Sequence, residues 1–124
     1  MRQRLYWCVT GNGDCDYWVV AHSWKIAAIF FADQNGFAVQ EVGVEHVTAL
    51  PARLSRHFTA SGPAHPSNQQ LAACGVHYNQ NFHVFVYMGR IYRPEGLIRA
   101  LMCSHAKARN ALRMRQRTRA RERL

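Results

Sequence analysis

Acidic residues are scarce in this chain. Seven aspartates and glutamates stand against sixteen lysines and arginines in 124 residues, a formal net charge of +9. Asp14, Asp16 and Asp33 are the only aspartates, which leaves little for a metal-dependent nuclease. The imbalance points to an anionic partner: nucleic acid, an acidic protein surface or an anionic membrane. It also argues against mimicry of DNA, which needs acids.

Cysteines are few and scattered. Cys8, Cys15, Cys74 and Cys103 do not make a disulfide framework, so reduced thiols are expected. There is no C-x-x-C and no H-x3-H, which leaves the zinc signal weak. Phosphate-cradling glycine loops are missing too. The single G-x-G, Gly11-Asn12-Gly13, falls between two strand-like segments and reads as a turn. Apolar runs such as Ile26 to Ala32 fall far short of a membrane span, and the N-terminus has no apolar stretch of signal length. The chain is therefore expected to be soluble and cytoplasmic, without membrane association. No internal repeat is visible.

Core material is plentiful. Apolar residues make up 48% of the chain, with three tryptophans, five tyrosines and six phenylalanines, enough for one globular domain. Arg4 to Thr10 and Asp16 to Ala21 are rich in aromatic and β-branched residues and flank a Gly-Asn-Gly turn, a hairpin signal. Ser23 is a good N-cap and Asn35-Gly36 a good stop, so the spacing predicts a helix between them. Ile26, Ile29, Phe30 and Phe37 form its expected buried stripe, widened by Trp24, Ala27, Ala28 and Phe31. Gln40 to Leu50 alternates as a strand and ends at Pro51. The next residues suit one or two helical turns, and Thr59 to Ser67 reads as a loop. Ser67 can cap a short helix ending at Gly75. Asn81 to Tyr92 contains a strand, a tight turn at Met88-Gly89-Arg90 and a return strand closed by Pro94. From Glu95 the period is helical, with Leu97, Ile98, Leu101, Met102, His105, Ala108 and Leu112 on one face. This order predicts an α+β domain over residues 1–112: an antiparallel sheet of hairpins with helices packed on one face.

Residues 113–124 read as a separate basic arm. From Lys107 to Leu124 eight basic side chains meet one acid, Glu122, so this stretch carries +7 of the chain's +9. Arg113, Arg115, Arg117, Arg119, Arg121 and Arg123 recur at every second position. On a helix they would step by about 200° and surround the axis. In extended form they would share one side at intervals of roughly 6.6 Å. Neither pattern can bury against a core, because each buried guanidinium would need an acid. Phosphate contact is the functional reading, with ordering on contact; a solvated tail that aids solubility is the plain one. Arginine rather than lysine favours phosphate, since the planar fork matches its oxygens. Arg109 joins these six as an expected phosphate contact, and Lys107, Arg90 and Arg93 extend the surface. Tyr92, between two arginines, is the aromatic expected to be exposed beside positive charge and free to stack on bases. Most other aromatics read as core. In the strand pairs Tyr6-Trp7 and Tyr17-Trp18, one ring of each is expected on an outer face or at a homodimer interface.

Two Cys/His pairs, Cys74 with His77 and Cys103 with His105, could together make a Cys2His2 metal site; the plain reading is small buried cysteines and surface histidines. A Cys-His catalytic pair has no supporting local setting, so no enzyme and no cofactor is expected.

The segment WCVTGNGDCDYWVVAHSWKIAAIFFADQNGF, with LAACG and GRIYRPEG further on, resembles a pattern in short uncharacterised bacterial and phage-associated proteins. Asp33-Gln34-Asn35 stands where that pattern is more acidic. The resemblance implies a small accessory protein of phage or mobile DNA, a group that includes anti-CRISPR inhibitors of bacterial defence. Together these features lead to the expectation of a non-enzymatic binder of nucleic acid or ribonucleoprotein. The alternatives are an inhibitor of a defence complex such as a CRISPR effector, using the sheet or the 59–67 loop with the arm on guide RNA, and a zinc or Cys/His enzyme.

Overall fold

A computed structural model describes residues 2–10 and 16–94. The chain is α+β, as the pattern of hairpins and helices predicts. Its strands form two antiparallel three-stranded sheets. In the first, β1 (Arg4–Thr10) lies between β2 (Tyr17–Ala21) and β3 (Val42–Ala49). The expected hairpin is present, with Trp7 opposite Trp18 and Cys8 opposite Tyr17. Its turn, residues 11–15, lies outside the described residues. Beyond the turn, Asp16 Oδ1 accepts from the Thr10 backbone N–H at 3.1 Å. Against β3, the register of β1 shifts between Leu5 and Tyr6, a bulge that adds local twist.

Helix α1 (Trp24–Asn35) crosses one face of this sheet and touches all three strands. Ser23 caps it by accepting from the Ile26 N–H at 3.3 Å. Gly36 ends it in the left-handed conformation at φ 76°, where a side chain is strained. The buried face keeps the expected Ala27, Ala28 and Phe31 but not Ile29 or Trp24. Ala27, Ala28, Phe31 and Ala32 face the core; Ile26, Phe30 and Phe37 are half-buried; Ile29 is 52% exposed and Trp24 58%. Three alanines let the helix axis approach the sheet closely, so contact centres on the small residues. The larger Ile29 points outward.

The opposite face is covered by the second sheet: β4 (His77–Asn79), β5 (Val84–Tyr87) and β6 (Arg90–Tyr92), in that order. Its register places Tyr78, Phe85 and Tyr92 in one row. That row meets the first sheet as a cluster of rings. Trp7 lies 4.8 Å from Trp18 and 5.2 Å from Tyr92; Trp18 lies 4.8 Å from Tyr92 and 5.9 Å from Phe85. Each such pair adds about 0.5–1.5 kcal/mol beyond the area it buries. Both faces of the first sheet are therefore covered within one chain. Tyr6, Trp7, Tyr17 and Trp18 are all buried, which corrects the expectation of an outward ring in each pair. It also removes the aromatic basis for a homodimer.

Helix α2 (Ala52–Ser61) follows Pro51 and is clamped to the start of β1. The Gln3 N–H donates to Ser55 Oγ at 2.8 Å, Gln3 Nε2 donates to Thr59 Oγ1 at 3.2 Å, and Phe58 enters the core. The helix takes in Thr59 to Ser61, which the sequence suggested as loop, because Gly62 at φ 87° is the residue that ends it. Past Gly62, Ala64 forms a single antiparallel bridge with Val20 on the open edge of β2. His65 pins this segment by donating from Nδ1 to the Trp18 carbonyl oxygen at 2.8 Å. Helix α3 (Asn68–Ala73) begins with a Ser67/Gln70 capping box. The turn between β5 and β6 puts Met88 at φ 48° and Gly89 at φ 80°, the double positive-φ geometry that tight hairpins require. Among the described residues no helix is long and apolar enough to cross a membrane.

Candidate nucleic-acid interface

Strand β6 carries Arg90, and Arg93 follows one residue beyond its end; these are the two described arginines expected to extend the basic arm. Arg90 pairs with Glu45 of β3, and its guanidinium lies 5.0 Å above the Tyr92 ring. The Tyr92 hydroxyl donates toward the same Glu45 Oε1 at 3.5 Å. Burial raises the Tyr92 phenol above its ordinary pKa, and the neighbouring Glu45 carboxylate adds to the rise, so the hydroxyl keeps its proton and its donor role. Tyr92 is only 5% exposed. This corrects the reading of it as a free stacking ring. The hairpin register puts Tyr92 opposite Phe85, on the face that meets Trp7 and Trp18. Arg90 covers the edge of that cluster and joins the two sheets through Glu45. Arg93 is exposed.

The remaining bases are distributed differently. Arg90–Glu45 is the only ion pair between described residues, and Arg2, Arg4, Lys25, Arg53, Arg56 and Arg93 have no carboxylate partner there. For Arg53, Arg56 and Arg93 the chain explains this directly: no acid occurs between Glu45 and Glu95. Arg4 instead donates from Nη1 to His46 Nε2 at 3.1 Å. Arg2 donates from Nε and Nη2 to the Leu50 carbonyl oxygen at 3.0 and 2.8 Å. Lys25 Nζ sits 5.7 Å from the exposed Trp24 ring. Arg53 and Arg56, on α2, stand apart from the charge pattern of the C-terminus. Their spacing of three within a helical stretch is the signal that marks them. Lys107, Arg109, Arg113, Arg115, Arg117, Arg119, Arg121 and Arg123 lie outside the described residues.

Of the thiol and histidine candidates, Cys74 and His77 lie within the described residues. Cys74 closes α3 and is half-buried, and burial raises its thiol. His77 is exposed at the start of β4. Cys103 and His105 lie outside the described residues. Among the described residues no group of three or more His, Cys, Asp or Glu side chains is placed to hold a metal ion.

Cys8 is fully buried, and its thiol is pushed up to about 12, chiefly by burial and further by the charge of Asp16. A thiol of this kind is not a nucleophile at neutral pH. It does affect alkaline stability. The unfolded chain loses the Cys8 proton from its ordinary value of about 8.5, while the folded chain holds it. Folding stability should therefore fall as pH rises through that value and until it nears 12, by about 1.4 kcal/mol per pH unit from this group. Denaturant melts of wild type and Cys8→Ala between about pH 8 and about pH 11 check this. The variant should lose that part of the slope; equal slopes would refute the assignment.

No family model, curated protein or solved structure matches this chain.

Proposed function

We propose that this chain is a non-enzymatic binder of nucleic acid or of a nucleoprotein, engaging phosphates through its arginines. The observation that carries the reading is that the positive charge is not neutralised within the described fold. One ion pair is present among the described residues, six described bases stand without a carboxylate there, and the stretch from Lys107 to Leu124 adds +7 against the single acid Glu122. Charge left in this state favours a polyanion, because each neutralised phosphate releases condensed counterions. The raised thiols of buried Cys8 and half-buried Cys74 agree with a binding role better than with thiol catalysis. The resemblance to phage-associated proteins supports reading this binder as an accessory protein of phage or mobile DNA.

The test is titration of the full chain against duplex DNA and single-stranded RNA at rising salt, beside a variant whose six alternating arginines, Arg113 to Arg123, are glutamine. Loss of affinity with a flattened salt dependence supports the reading. Absence of binding by the full chain overturns it, and binding unchanged in the variant removes the arm from it.

Inhibition of a defence complex is the second reading. Phe82 and Met88, at the two ends of β5, are 74% and 85% exposed, with Ile91 exposed beside them on β6. Apolar side chains displayed next to Arg90 and Arg93 suit a protein surface better than a phosphate backbone. Association with an effector that survives nuclease treatment and is lost in Phe82→Ser/Met88→Ser favours this second reading. Association abolished by nuclease favours the first.

A further inference from the structure

We propose that the outward face of α2 is a second phosphate-binding surface, formed by Arg53, Arg56 and His57 with Arg2 at the start of the helix. The fold itself would then grip the backbone of the nucleic acid that the arm engages. This rests on the reading of the chain as a nucleic-acid binder.

The inner side of α2 is committed to the fold. Ser55 and Phe58 are buried, and Ser55 and Thr59 hold Gln3. The outer side presents Arg53, Arg56, His57 and Ala60, all exposed. Positions three and four apart on a helix are surface neighbours, so Arg53, Arg56 and His57 share one patch. Ala60 continues the stripe by one more turn and is too small to obstruct a chain lying across it. Like charges at this spacing repel, and helices usually relieve them with an acid one turn away. Helix α2 contains no acid, and none follows before Glu95. Arg2 adds to the same end. It is fixed to the Leu50 carbonyl oxygen just ahead of the helix by two N–H donors, and a guanidinium carries five. The cost of this concentration of positive charge is not offset inside the described structure.

One feature selects the partner. The outer face of α2 has no large exposed apolar side chain. A protein interface needs a buried apolar centre, and an interfacial membrane helix needs an inserted apolar face. A phosphate backbone needs neither, because its contacts are charge-assisted hydrogen bonds that fix position without reading bases. The patch therefore fits the backbone of DNA or RNA and carries no sequence preference of its own.

The experiment uses the full chain with Arg53→Gln/Arg56→Gln, and separately the full chain with the six arm arginines changed to glutamine. Each is titrated against duplex DNA and single-stranded RNA as salt rises. Two lost phosphate contacts should reduce the log–log salt slope by about 1.8 on duplex and about 1.4 on single strands. Between about 50 and about 200 mM salt, the fall in duplex affinity should shrink by about tenfold. Arg53→Lys/Arg56→Lys keeps the charge and should keep the slope, while an unchanged thermal midpoint in the glutamine variant shows that the fold is intact. A slope unaltered by Arg53→Gln/Arg56→Gln overturns the α2 surface and leaves the arm reading standing. A slope reduced by that pair but unaltered in the arm variant does the reverse. Binding that depends on α2 but persists on a nuclease-treated protein partner also overturns the proposal.

Discussion

Changing Arg113, Arg115, Arg117, Arg119, Arg121 and Arg123 to glutamine should flatten the salt dependence of duplex binding by about five in the log–log slope. The figure follows from six lost phosphate contacts at about 0.9 counterion each. The six contacts should account for about a thousandfold of the wild-type loss in affinity between about 50 and about 200 mM salt, and the variant should show only the remainder set by the globular part. At low salt the difference should be larger on duplex than on single strands, where charge density is lower. A replacement of all six by lysine separates charge from geometry. It should restore the slope, since lysine neutralises phosphate as well, yet recover less affinity, because the bidentate fork is lost. Fluorescence anisotropy of a labelled duplex of about 20 base pairs, long enough for the contacts counted, gives both quantities. If the glutamine variant keeps the wild-type slope, the arm does not touch phosphate.

The largest effect on stability should come from Trp18. Its side chain is wholly buried, opposite Trp7 in the β1–β2 register and against Phe85 and Tyr92 of the second sheet. Trp18→Ala removes the ring on which both sheets meet and should cost about 3–5 kcal/mol. For a domain whose total stability is about 5–15 kcal/mol, that approaches unfolding. Trp18→Phe is a sharper test. The Trp18 indole Nε1 is buried without a hydrogen-bond partner among the described residues, a state that costs about 1–3 kcal/mol. Phenylalanine loses contact area but also removes that unsatisfied donor, so its net cost should stay under about 1.5 kcal/mol. Urea unfolding of both variants decides. A Trp18→Phe penalty equal to that of Trp18→Ala would mean that the indole nitrogen is satisfied in solution.

Local structure is legible in the residues of this chain, whereas the covering of each element is not. The first hairpin, α1 with both caps, β3 and the β5–β6 hairpin follow from local signals: Asn-Gly, Ser23, Gly36, strand alternation and Met88-Gly89. These signals do not resolve which side of each element is covered. Tyr-Trp-Val-Val in β2 is apolar on both faces, and a run of that kind marks a strand buried on both sides. Read as a sheet with one open face, it leaves a ring without cover; the second sheet supplies that cover. Strand β4, only three residues long, has too little pattern to be seen before its partner β5 is in place. Tyr92 misleads for a related reason. Proximity to Arg90 and Arg93 in the chain suggests a wet, basic setting, whereas the hairpin register turns the ring inward. For α1, hydrophobicity alone favours Ile29 over Ala28, but close packing on a sheet selects small side chains at the point of nearest approach. Within the candidate interface, the basic C-terminus is plain from composition. Arg53 and Arg56 are hidden because a helix of modest charge looks ordinary until its inner side is known.

The single bridge between Val20 and Ala64 has a consequence for behaviour in concentrated solution. Strand β2 is an outer strand of the first sheet, and its free amides would otherwise invite a strand from another molecule. Ala64 takes the N–H and the carbonyl oxygen of Val20 in two hydrogen bonds of 2.9 and 3.2 Å. Pro63 stands next to it and Pro66 two residues on, so neither offers an amide to continue a ladder outward. The segment thus acts as a stopper: it satisfies the edge and cannot itself be extended. Loosening it, for instance by His65→Ala, would expose a template for polymer growth on that side of a molecule otherwise kept apart by its own charge.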